Sequence, residues 1–346
     1  MKFLQSTKKN LLVPCFKVYY LRNTMSIKKI ITLAALTVGI AAHAFEPPRI
    51  VTATTGFGPG SGNEVSFRAV AAIVEKQNPG TSYVVMQKPG GDEVVALNWF
   101  TAQNPAPGNN IYITSHQGPF TTMGRWYRDQ MTFDPMKLEF VTTIAKSPLA
   151  VIAKSSSQTN TPKQLVERLR TTREPISFGI GAGAHRLAFE YLVDKSKGNR
   201  DLVKSAMYRG PAQALNDVAG GHVEFAIVPT AVAYAMYKSG QVKYIGLAGE
   251  QRLSLIPEVP LMKDTVPGMN VYAAWSIVLP PGSSPAQVKF YQDQFVPAIR
   301  SAEAKKFFEQ NLMFTVPEEH SPQGMRRHII DLRKQWLPYV EQINLD

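Results

Sequence analysis

Along this chain the apolar residues switch between alternate spacing and spacing of three or four, and each switch marks a strand giving way to a helix. Arg49-Ile50-Val51-Thr52-Ala53 is a short β-prone run that enters a glycine loop, after which Val65, Ala69, Ala72 and Ile73 recur at helical spacing. The same grammar returns at Tyr83–Met86 and Val94–Phe100, then at Ile111–Ile113 and the loop behind it. It returns again at Ile176–Phe178 followed by Leu187–Val193, and at Phe225–Val228 followed by Ala231–Tyr237. Strands alternating with helices predict an α/β architecture with largely parallel sheets. Thr161-Pro162, Ser284-Pro285 and Ser321-Pro322 read as helix starts, since the hydroxyl caps a free amide and proline at the first helical position loses no hydrogen bond. The turn Pro280–Ser284 precedes two closing amphipathic helices, roughly 285–311 and 322–342. There is no internal repeat and no low-complexity tract.

Composition narrows the picture. With 346 residues, 44% of them hydrophobic, the chain has the length of about two domains and is not disordered. Its net charge of +12 would fit a polyanion binder, but the distribution of charge does not. Residues 1–44 carry seven basic side chains and no acidic one, which leaves 31 basic against 26 acidic, or +5, on residues 45–346. No nucleic-acid partner is expected. From Met25, the pair Lys28-Lys29, the 13-residue apolar run Ile30–Ala42 and Ala42-His43-Ala44 read as a secretory signal cleaved near Ala44. The run falls short of the roughly 20 residues a membrane span needs. Residues 1–24 fit no signal n-region and read as a mis-annotated extension, with translation starting at Met25. The body is therefore expected to be exported. The single cysteine, Cys15, precedes it, so disulfides, a cysteine nucleophile and cysteine-ligated metals are excluded there.

Two glycine loops are candidate ligand sites. Gly56-Phe57-Gly58-Pro59-Gly60-Ser61-Gly62-Asn63 lies between a predicted strand and a predicted helix, where backbone amides and the helix start suit a carboxylate or phosphate. It fails the G-x-G-x-x-G fingerprint, because Ser61 or Asn63 falls in the last place. In Phe178–Arg186, Gly179, Gly181 and Ala184 do fit G-x-G-x-x-A, with Asp194 and Asp201 near the expected acidic position. That keeps a nucleotide-cofactor oxidoreductase as an alternative, although neither aspartate clearly ends a second strand. The six histidines form no i, i+4 pair and Ser61 is in no nucleophile elbow, so neither a metal site nor a hydrolase is expected. His116 and His185 fall in predicted loops beyond strand ends, where open α/β sheets bind ligands. Trp99, Trp126 and Trp336 read as packing residues, and Trp275 as packing or cleft wall.

A family resemblance then emerges. Tyr208-Arg209-Gly210-Pro211-Ala212-Gln213-Ala214-Leu215-Asn216-Asp217-Val218-Ala219-Gly220-Gly221-His222-Val223-Glu224 resembles Y-K-G-x-x-x-A-L-x-D-L-x-G-G-x-V-D of the Bug-type periplasmic receptors of tripartite tricarboxylate transporters. Lys238–Ile245 is similar to their K-A-G-K-L-R-A-L, and Arg252–Pro260 to R-x-x-x-L-P-D-V-P. Val266-Pro267-Gly268, Trp275 and Leu279-Pro280-Pro281-Gly282 follow the family's order. Upstream, Arg68, Lys88-Pro89-Gly90-Gly91 and Phe133-Asp134-Pro135 stand where the family has G-G-x-x-D-x-x-A-R, R-P-G-A-G-G and Y-D-P.

The resemblance implies a two-lobed periplasmic binding protein fold of type II with two crossovers and a ligand cleft. One lobe would comprise 45–148 and 276–346, the other 149–275. It implies a non-enzymatic monomer, without cofactor or metal, that closes on a small carboxylate and presents it to a permease of one large and one small membrane subunit. The same fold used as a ligand sensor is the nearer alternative. By position the ligand would meet Gly58, Gly60, Ser61 and Asn63; Ser115 and His116; Gly181, Gly183, Ala184 and His185; Tyr208, Arg209 and Gly210; and Thr230. The family's first-loop aspartate corresponds to Asn63 or Glu64, its second-loop serine to Ala182, and a later aspartate to Val228. These departures make the site less acidic and leave His116, His185, Arg186 and Arg209 as expected cationic contacts for an anion.

Overall fold

Residues 45–343 are described by the computed structural model; the extension expected at 1–24, the export signal expected at 25–44 and Cys15 lie outside them. In chain order the strands and longer helices are β1 (Ile50–Thr55), α1 (Gly62–Gln77), β2 (Ser82–Gln87), α2 (Val94–Thr101), β3 (Asn110–Ser115) and β4 (Glu139–Lys154). There follow α3 (Pro162–Thr171), β5 (Ile176–Ile180), α4 (Gly183–Ser196), β6 (Val203–Met207), α5 (Pro211–Gly220), β7 (Phe225–Pro229), α6 (Thr230–Lys238) and β8 (Val242–Ala248). The chain closes with β9 (Tyr272–Leu279), α7 (Pro285–Ile299), α8 (Ala302–Gln310) and α9 (Pro322–Gln342).

Two sheets share β4. The first runs β2-β1-β3-β9-β4, and the second places β4 between β8 and β7, followed by β5 and β6. β4 pairs with β9 up to Pro148, and from Leu149 it lies between β7 and β8. The return passage runs from Ala248 to Val271, whose amide and carbonyl bond Ala248 and Leu149, and β9 begins at Tyr272. β1 is parallel to β2 and β3, and β5 to β6 and β7. β9 and β4 run antiparallel to their neighbours. The largely parallel expectation is thus corrected to mixed sheets, because the two strands that carry the chain between sheets enter from the opposite end and need no helical crossover.

Alternation along the shared strand explains its burial. Leu149, Val151 and Ala153 enter the larger core, while Ala150 and Ile152 enter a second core with Leu215, Val218 and Ala233 of α5 and α6. β7 divides the same way, Phe225 and Ile227 against Ala226 and Val228. A strand with both faces apolar is one covered by other elements on both sides.

The hydroxyl-proline starts behave as expected. Thr161 and Ser321 accept from the amides of Gln164 (3.2 Å) and Gly324 (3.1 Å), and Ser284 forms a reciprocal capping box with Gln287. The helix expected over 285–311 is two helices. α7 stops at Ile299, and Ser301 caps α8 by accepting from the Ala304 amide at 3.1 Å.

Candidate functional site

The loops at the carboxyl ends of β1, β3, β5 and β7 converge where the two sheets meet. Ser61 caps α1 and is buried. Asn63 donates from Nδ2 to the Ile113 carbonyl (2.9 Å), which ties the first loop to β3. Glu64 is committed elsewhere, to Arg68 Nε (2.7 Å), Gln87 Nε2 (2.8 Å) and the Gly60 amide (3.2 Å). Of the two residues, Asn63 is on the cavity wall and Glu64 is not.

Ser61, Asn63, Ser115, His116, Ala184 and His185 surround a cavity of about 30 Å³, with Phe57 and Trp275 beside them. A neighbouring cavity of about 310 Å³ shares the Phe57 and Ala182 walls and brings Gly181, Tyr208 and Arg209 together with Asp92 and Tyr127. Gly183 and Gly181 act by close approach, the latter against the backbone of Gly210. A Cβ on Gly183 would lie 2.2 Å from Asp92 Oδ2, and one on Gly181 would lie 2.5 Å from the Gly210 carbonyl carbon. Gly58, Gly60 and Thr230 are on neither wall. Gly60 takes a turn at φ +75°, and Thr230 Oγ1 bonds Ser147 Oγ (2.7 Å) beside the point where β4 changes sheets. Two surface grooves of about 700 Å³ are larger, but neither gathers the strand ends where α/β sheets hold ligands.

Electrostatics differ from the expectation. His185 accepts from the Gly181 amide at Nδ1 (3.2 Å), which assigns the proton to Nε2, and burial lowers its pKa to about 3. His116 pairs through Nε2 with Ser276 Oγ (2.6 Å), and burial, then His328 and Lys146, hold it well below the ordinary histidine range. Both rings are neutral at pH 7, which corrects their expected role as cations. Arg186 stacks on Trp126, its guanidinium 4.5 Å from the ring centre. Arg209 is exposed on the wall of the larger cavity. The starts of α4 and α5 at Ala182 and Gly210 have no side-chain cap, which leaves the first amides of α4 uncapped, while Pro211 at the first position of α5 has no amide to cap.

Acidity enters from residues the sequence reading passed over. Asp92 and Glu93 are adjacent, both left-handed (φ 52° and 80°). Glu93 is held by Tyr112 Oη (3.0 Å), the Ser115 amide (3.1 Å) and Ser115 Oγ. Ser115 is therefore committed to a buried acid. Burial pushes Asp92 up to about 7 and Glu93 up to about 8; the Gly183 amide and Arg186 pull Asp92 partly back, and Asp92 itself adds to the Glu93 rise. Both lie above the unfolded value near 4. Their protonation favours the fold at low pH, and that contribution is lost as pH rises from about 4 to about 7–8. Asp92→Gly is accordingly expected to gain stability over the parent protein more at pH 8 than at pH 5, as read from urea midpoints at the two pH values.

The profile of the tripartite tricarboxylate transporter family receptor, TctC, matches residues 66–345. The chain belongs to this receptor family. Among relatives, a UPF0065 protein of Bordetella pertussis is 26% identical over 328 residues, covering 92% of this chain and 97% of that protein. The solved structure of periplasmic binding protein BugD matches with a TM-score of 0.79 at 20% identity, over 86% of this chain and 98% of its own. MatC from Rhodopseudomonas palustris with bound malate matches at 0.78 and 16% identity, over 85% and 100%. The fold of this TctC-family receptor is that of the periplasmic binding proteins, as the sequence resemblance implied. No described helix is long and apolar enough to cross a membrane.

For the TctC-family receptor the nucleotide fingerprint loses its context. Asp194 lies inside α4 and Asp201 in the turn before β6, so neither ends a strand where a ribose-binding acid would sit. Sequence spacing also concealed a buried group in which His116, Glu319 and His328 place ligand atoms within 4.8 Å of one another. Lys146 Nζ reaches Glu319 Oε1 (2.5 Å) and His328 Nε2 (3.2 Å), so an ammonium supplies the positive charge that such a donor set otherwise takes from a metal. Partners up to 182 residues apart leave no local signal.

Proposed function

We propose that this TctC-family receptor is exported to the periplasm and captures a small carboxylate between two lobes, 45–148 with 276–346 and 149–275, for delivery to a membrane permease of one large and one small subunit. The observation that carries the reading is the convergence of Ser61 and Asn63 from the first sheet with His185 and the uncapped α4 start from the second around one cavity. Free amides, a neutral His185 Nε2–H and the Arg209 guanidinium are donors for a carboxylate, and hydrogen bonds to an ionised group are roughly twice as strong as neutral ones. The malate carried by the MatC structure supports the ligand class.

Thermal unfolding against mono-, di- and tricarboxylates, aromatic acids, amino acids and NAD tests this. A ligand at 100 times its Kd adds about 2.7 kcal/mol of stability. The expected result is stabilisation by one class of carboxylate that weakens at least tenfold in Arg209→Ala. Stabilisation by NAD alone would replace the receptor reading with that of a nucleotide-dependent enzyme.

A further inference from the structure

Asp92 is an acid that the fold itself does not use. It takes a left-handed backbone conformation (φ 52°), which costs an L-residue roughly 1–2 kcal/mol and which glycine adopts freely. Glu93 beside it bears similar strain but is engaged by Tyr112 and Ser115. The two Asp92 oxygens are sealed from solvent, and neither has a partner in hydrogen-bonding geometry among the described residues, the Gly183 amide being near enough only to temper the carboxyl's pKa. Oδ2 sits between Gly118 and Gly183, at the meeting of the β3 loop with the α4 start, where a Cβ on either glycine would lie 3.3 Å or 2.2 Å away. Asp92 also lines the 310 Å³ cavity with Tyr127, Tyr208 and Arg209. A strained, buried, unpartnered carboxyl on a ligand cavity is better explained by the ligand than by the fold.

The charges around it specify what that ligand carries. The cleft region holds two acids, Asp92 and Glu93, and two guanidiniums, Arg186 and Arg209, while His116 and His185 are neutral. A plain dianion would place a second negative charge against Asp92. A ligand with one carboxylate and one protonated amine gives that carboxyl the donors it lacks, while the free amides and Arg209 take the carboxylate.

We propose that Asp92 determines specificity, pairing with an ammonium on the ligand so that the receptor prefers amino acids to the matching acids without nitrogen. This inference rests on the carboxylate reading above. Calorimetric titration of the exported protein with L-glutamate against glutarate, and L-aspartate against succinate, tests it in the parent, D92N and D92G. Glycine fits the left-handed position, so D92G reports even if D92N fails to fold. The expected result is at least a tenfold preference for the better amino acid over its nitrogen-free match, lost in both variants while the nitrogen-free acid binds as before or more tightly. Equal or stronger parent binding of the nitrogen-free acids, or a preference unchanged in D92G, overturns the role of Asp92 and leaves the carboxylate reading standing. If no acid of any class binds the parent, both readings fall.

Discussion

Glu319→Ala is expected to destabilise the protein by about 3–5 kcal/mol, the loss typical of removing one partner from a buried ion pair. Lys146 and Glu319 have side chains only 8% and 6% exposed and meet at 2.5 Å. Lys146 is on β4, just before that strand changes sheets, and its backbone also pairs with Phe314. The ion pair therefore fastens the C-terminal segment to the strand common to both sheets. Burial lowers the Lys146 pKa and Glu319 restores part of it. Without Glu319 the ammonium stays desolvated and unpaired, and its pKa falls further below the unfolded value of about 10.4. The penalty is then full below the folded pKa and relieved as pH rises toward 10.4, so the loss should shrink between pH 7 and pH 10. Urea denaturation at both pH values reads this directly. Lys146→Met combined with Glu319→Leu should recover most of the loss, since well-packed apolar replacements of buried pairs are often neutral or better. A single variant that loses less than about 1 kcal/mol would show that the buried pair is not a principal tie.

The second large effect is expected at Gly62. A Cβ there would fall 2.0 Å from Trp275 Cζ2 and 2.5 Å from Cε2, contacts that force the indole to move. Trp275 is 2% exposed and is paired on β9 with Ser115 of β3 and Ala145 of β4, so it has little room to retreat except into the cavity it lines. Gly62→Ala should therefore cost about 1–3 kcal/mol, as overpacking does, and weaken ligand binding at least tenfold. Gly80→Ala is the control. Its Cβ meets nothing within 4 Å and its backbone is not left-handed, so a change within about 0.5 kcal/mol is expected. Adding Trp275→Phe to Gly62→Ala should restore stability and part of the affinity. If Gly62→Ala binds ligand as tightly as the parent, Trp275 is a packing residue alone.

These two sites show how unevenly the molecule is written along its sequence. The hydroxyl-proline starts at Thr161, Ser284 and Ser321 were legible because a cap involves residues only three positions apart. The break between α7 and α8 was not, because Ser301 restarts the helix without proline and the apolar spacing runs through the break. From sequence alone the glycine loops are ligand cradles. At Gly62, Gly181 and Gly183 the missing side chain first makes room for Trp275, Gly210 and Asp92.

The sequence by itself determined the α/β class and the receptor family, reads residues 25–44 as an export signal, and named part of the smaller cavity's wall, including Ser61, Asn63, His116 and His185. Periodicity, caps and ordered motifs are carried by residues close together in the chain, so they survive without coordinates. Only the tertiary structure decided that β4 serves both sheets, that the histidines are neutral, that Glu64 turns away while Asp92 stands unpartnered, and that Lys146 meets Glu319 across 173 residues. Each of these depends on burial or on contacts between distant segments, and both come into being only when the chain packs.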